Sequence, residues 1–288
     1  SNSNIAIGHS ALGGTWADAA SNYNVAIGHT AMDAALNGAL YNMAMGYGAL
    51  GALTSGDSNV AIGHNAGSAI TTGGSNIIIG RTAGDSITTK DALIAIGFGA
   101  LGAVSTTVGD GTIAIGHGAM GGAEMGDGNI AIGYQSMQNA NAAGLNRNIA
   151  IGYQTMANVG SNGPDDNVAI GYQAANTLTT TTGAVIIGSK AGHGVTTSNQ
   201  IIAIGFEALG EVTSHGDYSS AVGFEAGRYA TGSSNAFFGY KAGRGGTTSA
   251  PFSSGEYNTA VGAYALDAFT TGQQNVAIGW EAATSLTT

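Results

Sequence analysis

The chain has 288 residues, of which 43% are hydrophobic and only 8% charged, with 50 glycines, no cysteine and a formal net charge of −10. So little charge excludes an ordinary globule, for which about 25% is usual; the apolar content excludes simple disorder, and two prolines without a G-X-Y period exclude collagen. Seven scattered bases form no stripe that could neutralise phosphates, so nucleic acid is not an expected partner, and no apolar run approaches the ~18 residues of a membrane span.

The first predicted element is the strand that ends at Gly8, and everything after it is a variation on that element. Taking this glycine as position zero, the same register returns at Gly28, Gly46, Gly63, Gly80, Gly97, Gly116, Gly133, Gly152, Gly171, Gly188, Gly205, Gly223, Gly239, Gly262 and Gly279. These 16 copies are spaced by about 18 residues on average, a period that indicates a solenoid. The reading is therefore one repeat domain over residues 1–288. Because the sequence opens and closes inside repeats, it also reads as a fragment of a longer fibre.

Each copy carries a period-2 pattern. Positions −3 and −1 hold large aliphatics such as Val60 and Ile62, while −2 and zero hold Ala61 and Gly63. Both faces of this strand are apolar, one bulky and one small, and a strand without a polar face is buried on both sides. A thin solenoid covers only its inward face. The residues Ile62, Ala61, Ile132, Ile170 and Ile278 are therefore expected to pack the core and a contact with another copy of the chain.

Before the strand, Gly at −7 followed by Asp, Ser, Glu or Gln is turn chemistry. Asn at −4, present in 11 copies, is expected to stack amide on amide between coils. After the strand, pairs such as Thr71-Thr72 and Thr196-Thr197 favour a second short strand. Stacked at ~4.8 Å, 16 coils would make a rod roughly 75 Å long.

The first interruption is the tip bearing Trp16, followed by residues 160–166 (GSNGPDD). The largest lies between Gly239 and Gly262, where the extra residues 243–256 include Arg244, Pro251 and Phe252. Long loops on rigid scaffolds commonly carry binding. Arg244, Pro251, Phe252, Trp16 and Tyr229 are thus the candidate receptor contacts, the exposed aromatics suiting sugar rings.

Three apparent motifs belong to the repeat itself. Gly46-Gly48-Gly51 and two similar stretches satisfy G-x-G-x-x-G without the βαβ unit that a dinucleotide needs. His9, His29, His64 and His117 share position +1 with Tyr, Phe and Trp, so the slot selects a flat ring. Asp91, Asp110 and Asp127 fall at −6 in consecutive coils. Oxygen ligands suit calcium, and a calcium row stands as the minor alternative to corner turns. No nucleophile elbow, phosphate loop or zinc spacing is present; neither enzymatic activity nor a cofactor is expected.

The motif N-[VI]-A-I-G, followed two residues on by Ala and repeated through Gly turns, resembles the head repeats of trimeric autotransporter adhesins of the YadA type. The form with an aromatic after the Gly, as in Ile132-Gly133-Tyr134-Gln135, is similar to arrays of phage tail fibres and bacterial surface proteins. The resemblance implies a left-handed parallel β-roll, a homotrimer, and an extracellular attachment fibre that meets a cell-surface glycan or protein. The repeat of ~18 departs from the ~14 usual in adhesin heads. A pure spacer and an ice-binding solenoid are the alternatives.

Overall fold

The computed structural model describes residues 3–15, 19–102, 109–122, 126–139, 144–160, 163–211, 216–246, 253–284 and 286. Among them every regular element is a three-residue strand, and no helix occurs. Two compact units share the chain. Ser1–Asn146 carries β1 (Ile5–Ile7), β2 (Val25–Ile27), β3 (Met43–Met45), β4 (Val60–Ile62), β5 (Ile77–Ile79), β6 (Ile94–Ile96), β7 (Ile113–Ile115) and β8 (Ile130–Ile132). Arg147–Thr288 carries β9 (Ile149–Ile151), β10 (Val168–Ile170), β11 (Val185–Ile187), β12 (Ile202–Ile204), β13 (Ser220–Val222), β14 (Ala236–Phe238), β15 (Thr259–Val261) and β16 (Val276–Ile278).

Within each unit, consecutive strands pair in parallel with the repeat register kept. Ala61 sits beside Ile78, for example, and Ala169 beside Ile186. The fold is a parallel β-solenoid, as the glycine spacing predicts.

The strands are short because the backbone brackets them. The zero glycine has φ between 125° and 141° in all 16 copies. A Cβ on Gly171 would also lie 2.5 Å from the carbonyl oxygen of Gly188 in the next coil, so the position excludes any side chain. On the other flank, the residue at −5 is left-handed in every coil, as at Tyr41 (φ 59°) and Arg147 (φ 55°). Four residues remain between these two points, the −4 position and the three of the strand.

Between bracket and strand lies the asparagine column. The Asn59 side chain donates to Asn42 Oδ1 (3.0 Å) and to the Gly73 carbonyl (2.9 Å), while its own Oδ1 accepts from the backbone and side chain of Asn76 (3.1 and 2.9 Å). The expected amide ladder is present and buried. It satisfies corner backbone groups that no strand reaches.

The second strand expected at the Thr pairs does not form. Among the described residues that side carries one isolated bridge, Ala230 with Ser253. Positions +2 and +4 are left-handed in every coil, as at Gln173 and Met156, and they wind the chain through successive turns. Contact with the next coil then converges on one carbonyl: Thr71 N–H donates to the Thr88 carbonyl (2.8 Å), and the Thr71 hydroxyl donates to the same oxygen (3.1 Å).

Each coil fills its interior from positions −2, +3, +4 and +7, as with Ala44, Ala49, Leu50 and Leu53, all fully buried. Volumes compensate inside a coil. Where −2 is Ala, +4 carries Met or Leu in most coils; where −2 grows to Ile78, Ile186 or Phe237, +4 is Gly84, Gly192 or Gly243. A Cβ on Gly192 would meet Ile186 Cδ1 at 3.1 Å, and one on Gly243 would clash with the Phe237 ring. Close packing makes the pair, rather than either residue, the unit of selection.

Candidate interaction surface

Alternation along the strand decides what each unit shows to solvent. Ala61 is fully buried in the interior, and its neighbours Val60 and Ile62 point outward and stay half-exposed. The same holds for Ile132 and Ile170, and Ile278 is 69% exposed. The residues expected to pack thus divide: Ala61 lines the solenoid core, and the four isoleucines stand outward in the apolar column of their own unit, Ile62 and Ile132 in the first and Ile170 and Ile278 in the second.

Position +1 widens that column with flat groups. In the first unit His9, His29, Tyr47 and His64 stack at 5.0–5.2 Å, and Phe98, His117 and Tyr134 stack at 5.0–5.1 Å. Arg81 takes the same position in its coil, its guanidinium 4.5 Å from the Phe98 ring centre. In the second unit Phe206, Phe224 and Tyr240 stack at 5.1–5.2 Å. The histidines serve as rings, as their exchange with aromatics predicts. Columns −3 to +1 span about 13 Å across, and eight coils span about 38 Å. The resulting strip of roughly 500 Å² per unit, aliphatic in columns −3 and −1 and ring-rich in +1, is in the upper part of the range for the largest patch on a monomer, a size that is often functional.

The glycines of the three G-x-G-x-x-G stretches are distributed by the repeat. Gly46 is a zero position, Gly48 a left-handed +2 position, and Gly51 lies one residue past +4. Among the described residues no helix N-terminus is there to receive a phosphate.

The −6 carboxylates act between coils. Asp91 Oδ1 accepts the Gly74 N–H (2.6 Å), Asp110 Oδ1 accepts the Asp91 N–H (3.0 Å), and Asn146 Oδ1 accepts the Asp127 N–H (3.0 Å). They are corner residues: the Asp91 and Asp110 carboxylates accept from the preceding coil, while Asp127 donates its N–H to Asn146 of the next. Among the described residues no three metal-ligating side chains converge, and Asp91, Asp110 and Asp127 follow one another singly along the column.

The receptor-contact candidates fare differently. Trp16, Pro251 and Phe252 lie outside the described residues. Tyr229, expected as an exposed aromatic, is buried at 7%. The enlarged coil covers it: Tyr229 N–H donates to the Arg244 carbonyl (2.7 Å), Ser253 N–H donates to the Tyr229 carbonyl (3.2 Å), and Arg228 lies over its ring. Burial raises its phenol above the ordinary value. Arg244 is not a free cation either, since its Nε is 3.1 Å from Asp267 Oδ1 and its Nη1 is 3.7 Å from Glu225.

Arg244 belongs to a network that the sequence reading missed. Arg228 Nη1 meets Glu207 and Glu225 at 2.8 Å each, and Nη2 meets Glu211 at 2.9 Å. Burial works against the Arg228 charge, but the Glu211 hydrogen bond and the Glu207 and Glu211 charges outweigh it and hold the guanidinium above its usual value. Burial raises the Asp267 carboxyl, with Arg244 and Lys241 opposing. Glu207, Glu225 and Lys241 all stand at +2, while Arg228, Arg244 and Asp267 all stand at +5. Aligning these two columns would have revealed the alternation of charge.

A second missed column is −5, whose adjacent members reach each other. Tyr23 and Tyr41 stack at 5.1 Å with planes 3° apart, and Arg147 Nε donates to Asp166 Oδ1 at 2.6 Å. That hydrogen bond holds the Asp166 carboxyl below the usual carboxylate range. No protein-family model, curated protein or solved structure matches the chain.

Proposed function

We propose that this chain is a non-enzymatic segment of an extracellular attachment fibre, a phage tail fibre or bacterial surface adhesin, working as a homotrimer of left-handed β-rolls. One observation carries the reading: the outward column −1 is apolar in every coil, column −3 departs from that only at Ser220 and Thr259, and both are uncovered in the single chain. Burying it stabilises association by about 25 cal/mol per Å² of apolar surface before the costs of ordering. Copies of one chain present the same strip at the same height, and closed symmetry lets each cover the others. The resemblance of the N-[VI]-A-I-G motif to adhesin heads supports three copies and the hand of the roll.

Catalysis needs one special place, and a repeat supplies many similar ones. The ice-binding reading is weakened because Thr54, Thr71 and Thr179 donate their hydroxyls to the next coil's carbonyls, which takes these three out of any water-ordering row. Retention of the fluorescently labelled chain on intact bacterial cells tests attachment. Saturable binding, displaced by unlabelled chain, is the expected result. No retention on any cell panel leaves the chain a spacer and contradicts attachment by this segment.

A further inference from the structure

Column −5 of the second unit contains an unusual order. In five consecutive coils it reads Gln200, Tyr218, Ser234, Tyr257 and Gln274. All five are left-handed, with φ between 51° and 61°. Their register is fixed by one backbone bond per step: Tyr218 N–H to the Asn199 carbonyl (3.1 Å), Ser234 to Asp217 (2.9 Å), Tyr257 to Ser233 (3.2 Å) and Gln274 to Glu256 (3.0 Å).

Side chains in adjacent coils of this column touch, as Tyr23 does Tyr41 and Arg147 does Asp166. A serine between two tyrosines is too short to do so. With neighbouring rings 5.1 Å apart in the filled case, rings two coils apart stand about 10 Å apart. A ring inserted midway lies about 5 Å from each, the separation at which Tyr23 and Tyr41 are in contact. Tyr218 is 61% and Tyr257 56% exposed, so the walls face solvent, and Ser234 supplies a hydroxyl floor.

We propose that Tyr218, Ser234 and Tyr257 form a slot that takes one pyranose ring of a neutral cell-surface glycan. This deepens the attachment reading and rests on it for the source of the sugar; the slot itself is complete within one chain. The apolar faces of a pyranose stack on tyrosine, and its hydroxyls suit the flanking polar groups. Asp217 and Glu256, each directly before a wall tyrosine, place negative charge beside the opening and select against acidic sugars. The enlarged coil ends at Tyr257, so the insertion delivers one wall.

Saturation-transfer NMR with the methyl pyranosides of glucose, galactose, mannose and N-acetylglucosamine, and with N-acetylneuraminic acid as the anionic probe, tests the slot. At least one neutral pyranoside is expected to receive saturation, with affinity at least tenfold weaker in Tyr257→Ala. Ser234→Tyr, which completes the stack already seen at Tyr23 and Tyr41 and so keeps the fold, is expected to abolish binding, and Tyr23→Ala to leave it unchanged. Binding by none of the four pyranosides, retained binding in Ser234→Tyr, or equal binding of N-acetylneuraminic acid overturns the proposal. Sugar binding without cell retention would sink the attachment reading and leave the slot standing.

Discussion

The exchange of volume between positions −2 and +4 makes a quantitative claim about Ile186 and Gly192. Ile186 is fully buried, so Ile186→Ala is expected to cost about 3 kcal/mol as lost transfer energy plus a cavity. Gly192→Met places a Cβ 3.1 Å from Ile186 Cδ1 and Cγ2 and drives the rest of the side chain into occupied space, costing about 3 kcal/mol with the left-handed backbone included. The double variant recreates the Ala150/Met156 arrangement of another coil, where Met156 sits buried at φ 49°. It should cost only about 1–2 kcal/mol, a coupling of well over 2 kcal/mol. Urea unfolding followed by circular dichroism reads all three. Losses that add within about 0.5 kcal/mol would refute pairwise compensation.

Other consequences follow from the corner and the charges. Gly171→Ala, at φ 135° with its Cβ 2.5 Å from a carbonyl oxygen, should destabilise by about 3 kcal/mol; Gly111→Ala, with open space at its Cβ, should cost about 1 kcal/mol, and equal losses would contradict the inter-coil clash. Asn59→Ala strands the Gly73 carbonyl and the Asn76 N–H, and a loss of about 2–4 kcal/mol in the same assay is expected; a neutral outcome would remove the ladder from the account. Because burial raises the Asp267 carboxyl, its contribution to stability is full below the ordinary carboxylate range and is lost as pH rises through the raised value. The stability of wild type relative to Asp267→Asn should therefore fall between pH 3 and 7; a rise would show that the Arg244 pairing dominates instead.

The repeat register was legible because Gly at zero admits no side chain, Asn at −4 has specific amide partners in 11 of 16 copies, and Ala at −2 gives way to a larger residue only where +4 is Gly. The winding after the strand was not legible, since the left-handed positions +2 and +4 are filled by residues such as Gln173 and Met156 that carry no turn signature. The Thr pairs misled for the same reason: β-branched residues favour strands, but here each coil offers one acceptor carbonyl rather than a run of paired groups. Tyr229 was read as exposed because it lies near the insertion, whereas the enlarged coil folds back over it. The wall tyrosines Tyr218 and Tyr257 went unread because their significance lies in a vertical column, two coils apart with Ser234 between them, which only the register reveals.

Native mass measurement of the purified chain tests the central claim most directly. If the −3 to +1 strip is covered by copies of the same chain, the assembly has three times the chain mass of 28.2 kDa and falls apart in Ile132→Lys with Ile170→Lys. A single species at 28.2 kDa would contradict it.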